Sequence, residues 1–208
     1  GHSESKRDLS GDAGGVFPPV MITKQEIYEG LFGAWRLLLR DRGAVALFDD
    51  SVSGFWKSFV GAALIFPIYA ALLLLGIAEF ESTRSLFAVI LLHIEFFIIR
   101  AVIWPLAMHY IVQALDHDEK YCLYVVAYNW ANVVMNVIYF VAIIILLASP
   151  LSAVARDAIG LVIFIALMIY QIFVTRVTLD IHLGPAIGLV VCEFMLHKVI
   201  VGLQYGVM

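Results

Sequence analysis

Charge is what this chain has least of. Only 14% of its 208 residues are Asp, Glu, Lys or Arg, against roughly 25% in an ordinary soluble domain. The net charge of −4 names no partner, and no basic tract is present, so nucleic acid is not expected as a partner. Cysteine is nearly absent as well. Cys122 and Cys192 both stand inside apolar runs, which excludes a disulfide framework and CxxC metal or redox spacing. No Gly-rich phosphate loop, GxSxG elbow or HExxH helix occurs. The chain therefore reads as non-enzymatic, and no cofactor is implied.

What is present is apolar. Hydrophobic residues make up 62% of the chain, and mean hydropathy is +0.95. A soluble core of this size could not hide so much apolar surface, so lipid must cover part of it. The reading is an all-α polytopic membrane bundle of five transmembrane helices with an N-terminal amphipathic interfacial helix. Residues 1–20 form a polar, Gly- and Pro-containing tail, residues 21–43 the amphipathic helix, and residues 44–208 the membrane domain. Gly1-His2 reads as a cloning remnant. Lys6-Arg7 is followed by polar residues, so no secretory signal is read.

The amphipathic helix has its own signals. Thr23-Lys24-Gln25-Glu26 fits a capping box. Ile27, Leu31, Trp35 and Leu38 follow at helical spacing, flanked by Tyr28, Phe32 and Leu39, and Gly43 is the expected stop. The helix is too polar to span a bilayer. It is expected to lie on the membrane surface, with Trp35, Arg36, Arg40 and Arg42 at the head groups, or else to pack on the bundle itself.

Five apolar runs follow, at about Ser58–Ala78, Leu86–Gln113, Tyr121–Ala148, Ala158–Leu179 and Pro185–Val207. Each is long enough for a hydrocarbon layer of about 30 Å. The connectors are short, so neighbours run antiparallel. With the N-terminus inside, nine Lys/Arg fall on the cytoplasmic side and only Arg84 and Arg156 on the other. The positive-inside bias thus predicts a multi-pass protein of the cell membrane, an inner membrane in a two-membrane cell, with the N-terminus cytoplasmic and the C-terminus opposite.

Phe48-Asp49-Asp50-Ser51-Val52-Ser53-Gly54-Phe55-Trp56 leads straight into the first run. This segment resembles Yip1-domain membrane proteins, in which an acidic stretch, a glycine and an aromatic pair precede the first of five spans. Val52-Ser53 stands where that family has Leu-Tyr, and no proline follows Gly54. The resemblance implies the five-span fold and a cytosolic N-terminus. It also implies a scaffold, assembly or trafficking role through binding other membrane components. From the residues alone, Asp50, Ser51 or Ser53 caps the span, and Gly54 permits a sharp entry.

Ionisable groups inside hydrocarbon are functional hypotheses by default. The second span carries His93, Glu95, Arg100 and His109, with Pro105 among them. The third carries Asn129, Asn132 and Asn136. The fifth carries Glu193, His197 and Gln204 at spacings of 4 and 7. These stripes are expected to face one another. They would form interhelical hydrogen bonds, a solvated cavity of a small transporter or channel, or, more weakly, a metal site on Glu193 and His197 in a membrane enzyme. The partners expected are the lipid bilayer, anionic lipids, other membrane proteins and a second copy of the chain.

Overall fold

The computed structural model describes residues 22–77 and 85–207. Helix α1 runs Lys24–Leu38, α2 Val52–Ser58, α3 Val60–Ile77, α4 Leu86–Ala114, α5 Tyr121–Ala148, α6 Ala153–Leu179 and α7 Leu183–Val207. Short 3-10 helices occupy Arg42–Leu47 and Asp118–Lys120. No strand occurs among the described residues. Five segments are long and apolar enough to cross a membrane: α2 with most of α3 (Val52–Leu73), α4, α5 with its preceding turn, α6 and α7. The protein is a multi-pass integral membrane protein.

Each boundary has a local cause. In the predicted capping box, the Glu26 amide donates to Thr23 Oγ1 at 3.2 Å, and the Thr23 amide donates back to Glu26 Oε2 at 2.7 Å. The helix ends at Leu38, short of the expected Gly43. Arg40 takes a left-handed backbone (φ 67°), and the Gly43 amide instead donates to Asp41 Oδ1 at 2.8 Å, opening the 3-10 turn. Ser51 caps α2 by accepting from the Gly54 amide at 3.1 Å, so the first span begins before Ser58. Ser152 caps α6 in the same way, which brings Arg156 and Asp157 into its first turns. The connector between α3 and α4 lies outside the described residues.

Gly54 explains part of the motif before the first span. A Cβ there would fall 2.1 Å from the Asp49 carbonyl oxygen. Only glycine lets the acidic turn fold back on the start of α2.

Helix α5 is the centre, packing on α1, α2, α3, α4 and α6. Tyr124 through Ala131 are all buried, so this stretch is enclosed on every side. One cluster joins Ala34 and Leu37 of α1, Phe48, Trp130 of α5, and Tyr170 and Val174 of α6. A second joins Trp104, Met108 and Val112 of α4 to Tyr124 and Tyr128 of α5 and to Leu179. Large apolar residues such as Ile98, Ile145, Leu161 and Val199 are exposed, and lipid is their natural cover.

Helix α1 packs on the bundle, one of the two arrangements expected for it. Gly30, Gly33, Ala34 and Leu37 are buried against the bundle, and Tyr170 Oη donates to the Ala34 carbonyl at 2.8 Å. The opposite face carries Tyr28, Phe32, Trp35 and Leu39, which are 60%, 40%, 50% and 63% exposed. Lys57 of α2 closes on Glu26 at 2.6 Å. The Lys57 ammonium, with the Thr23 amide and hydroxyl, holds the Glu26 carboxyl down from 4.5 to about 2. A depressed carboxylate stabilises the fold fully above its ordinary range, and this stabilisation fades as pH falls toward the folded value. Thermal unfolding in detergent should therefore lose stability between about pH 4.5 and pH 2, and E26Q should remove that part of the slope. An identical slope in E26Q would rule the clamp out.

Candidate functional site

The polar residues of the spans do not form one cluster. They divide around a cleft of about 260 Å³ bounded by α3, α4, α5 and α7. Arg100 sets its character. It stands midway along α4, fourteen residues from Leu86 and fourteen from Ala114, at the centre of that apolar span. Its Nε donates weakly to the Phe96 carbonyl at 3.3 Å. The guanidinium lies over the Tyr69 ring, 5.0 Å from the centroid. Its Nη2 is buried with no hydrogen-bond partner among the described residues. No carboxylate reaches it: the ion pairs among the described residues are Arg36–Asp41 and Lys57–Glu26.

The other polar groups of the lining are amide, imidazole and phenol, set among Ala62, Ile65, Phe97 and Ala101. Asn129 donates from Nδ2 to Ser58 Oγ at 2.8 Å, tying α5 to α2. Asn136 donates to the Asn132 carbonyl at 2.8 Å, while the Asn132 side chain faces the cleft. His197 of α7 sets one ring nitrogen 3.1 Å from the Glu193 carbonyl and the other 3.4 Å from the Arg100 carbonyl. A neutral ring donates to only one of these. Glu193 is buried behind the cleft, accepting from Tyr128 Oη at 2.8 Å and from Gln171 Nε2 at 3.5 Å. Toward the far end, His93 Nδ1 meets Tyr69 Oη at 2.8 Å and Gln204 Nε2 at 2.9 Å.

Several expectations need correcting. Glu95 is exposed on the outer face of α4, with no hydrogen bond or ion pair among the described residues. Two positions past His93, it has turned about 200° around the helix. His109 lies toward the other end of α4, against Tyr121 (5.2 Å between rings), and is not part of the cleft. Among the described residues no three His, Cys, Asp or Glu side chains gather as a metal site, and the Glu193 carboxylate is committed to Tyr128 and Gln171.

At the surface helix, Trp35 does face outward. Arg36, however, is paired with Asp41, whose carboxyl is held below its usual range by that guanidinium and by the Gly43 amide. Arg40 covers the Phe173 ring at 4.9 Å and donates to the Ile169 carbonyl at 3.3 Å. Arg42 is exposed.

The sequence reading missed Tyr69 and Tyr128. Both stand in apolar runs and look like ordinary core aromatics there. One signal was available: Tyr128, Asn132 and Asn136 share a spacing of four, which places them on one face of α5.

Chemically, the cleft offers a cationic fork midway along a span, amides beside it, and no resident anion from the described residues. Comparison with protein-family models, with curated proteins and with solved structures finds no match to this chain.

Proposed function

We propose that this protein binds a small organic anion in the cleft at the membrane centre and carries it across the bilayer. The observation that supports this reading is that Arg100 lines the cleft with its Nη2 unpartnered and with no carboxylate beside it in the lining, among the described residues. A half-buried guanidinium without a counter-charge is costly within a membrane span, and an anionic ligand would offset that cost. The volume suits a ligand of a few heavy atoms, and Asn132 and Asn136 suit hydroxyl or carbonyl groups on it. A small carboxylate fits best. With the positive-inside bias, the bundle would sit in a cell membrane with its N-terminus cytoplasmic.

Purified protein in vesicles tests this with lactate, pyruvate, succinate and inorganic phosphate as probes and ethanolamine as the cationic control. The expected result is saturable uptake of at least one anion together with a raised melting temperature. Indifference to the whole anion panel, or equal response to ethanolamine, would overturn it.

A second reading is the Yip1-like one, a non-enzymatic binder of other membrane components. The outward stripe Tyr28, Phe32, Trp35 and Leu39 favours it. The two readings part on α1. A chain lacking residues 21–43 would lose its membrane partners under the second, while its cleft would still take the anion under the first.

A further inference from the structure

Two charged residues within the spans are exposed on the outside of the bundle, Glu95 and Lys198. Glu95 stands nine residues in from Leu86, the start of α4, and Lys198 nine residues before Val207, the end of α7. At 1.5 Å per residue, each lies about 14 Å along its own helix from the terminus on the same side of the bundle, the two termini themselves being offset. Both are exposed. Neither forms an ion pair among the described residues. Pairing across the helices fixes the register: His93 meets Gln204, and the Arg100 carbonyl meets His197. Glu95 is thus level with Gly202, one helical turn from Lys198, or about 6 Å in depth.

The two charges lie on opposite flanks of α7. Helix α7 packs between α4 and α6. Lys198 leans to the α6 side: its ammonium sits over the Phe194 ring at 5.2 Å, and that ring packs on Phe164 of α6 at 5.3 Å. Glu95 belongs to α4, on the other flank. Within one chain the two are therefore kept apart.

A twofold axis along the membrane normal removes that separation. It sets the α6 flank of one copy against the α4 flank of the other and leaves depths unchanged. We propose that two copies of this chain associate side by side through the outer face of α7, with Glu95 of each copy paired to Lys198 of its partner. Each lipid-facing charge then gains a counter-charge of opposite sign, and the contact occurs twice by symmetry. The helices can approach closely, because a Cβ at Gly202 or Gly206 would meet nothing within 4 Å.

Charge reversal tests this in lipid nanodiscs and in vesicles by energy transfer between labelled copies. The parent is expected to dimerise. E95K and K198E should each weaken dimerisation at least tenfold, and the double exchange E95K/K198E should restore it. A parent that stays monomeric at every protein-to-lipid ratio, or single reversals that leave association unchanged, would overturn the proposal. Should a reversal impair folding, G202C in a C192S background supplies a milder test. Cross-linking between copies in the membrane supports the interface, and no cross-link at full oxidation refutes it.

Discussion

R100Q should lose anion binding by at least a hundredfold while the protein melts at the same temperature or higher. The two halves of this result come from one fact. Arg100 stands half-buried at the centre of α4; among the described residues it holds the Phe96 carbonyl through Nε and the Tyr69 ring through its face, and leaves Nη2 buried and unpartnered. A charge-assisted hydrogen bond is worth about 1.5–3 kcal/mol, so losing a two-pronged grip on a carboxylate costs at least two powers of ten in affinity. A structural arginine would behave differently. Removing one member of a buried ion pair destabilises strongly because it strands the other. Here no ion-paired partner is stranded.

R100K separates charge from shape. Lysine keeps the charge but lacks the planar fork and its stacking on Tyr69, so affinity should fall about tenfold rather than vanish. Ligand-dependent melting curves of the three proteins check both statements. A destabilised R100Q with unchanged anion affinity would assign Arg100 to the scaffold instead.

G30L should release α1 from the bundle. A Cβ at Gly30 would sit 2.3–2.6 Å from the ring atoms of Trp130. That ring is 3% exposed and belongs to the cluster joining α1, α5 and α6, so it has nowhere to go. A leucine also has to place its further atoms in the same space. Over-packing typically costs about 1–3 kcal/mol, and occasionally more. At about 2–4 °C per kcal/mol for a chain of this size, the melting temperature should fall by roughly 2–12 °C.

The loss is local, which makes it recognisable. The Tyr170–Ala34 hydrogen bond and the Glu26–Lys57 pair depend on α1 being docked. Arg36 and Arg40, now held by Asp41 and by α6, would become open to trypsin. Faster cleavage at these two residues, with the spans intact, is the expected pattern. Parent-like cleavage and melting would show that α1 docks without the Gly30–Trp130 contact.

The cap of α1 and the central spans were legible because their causes are local. Thr23 and Glu26 lie three residues apart, and the reciprocal hydrogen bonds they form need nothing from the rest of the chain. The run Tyr121–Ala148 coincides with α5 to the residue. Where a boundary moved, a neighbouring cap moved it, as Ser51 and Ser152 did. The motif glycine, Gly54, was visible as a glycine, but its reason was not. The Asp49 carbonyl that excludes a side chain there is brought close only by the folded turn.

Polarity within the spans was equally visible, and spacing already put Glu95 on a different face of its helix from His93 and Arg100, but which face turns inward was not visible. By itself the sequence determined a five-span helical membrane protein with a capped N-terminal helix, because apolar length and capping chemistry act over a few residues. Only the tertiary structure decided which polar groups work together. Glu95 and Arg100 share one helix, yet one faces outward and the other lines a cleft, because the rotation of α4 is set by its packing on α5 and α7. The same packing brought Tyr69 and Tyr128 to the polar groups and sent Arg36 and Arg40 to partners within the protein.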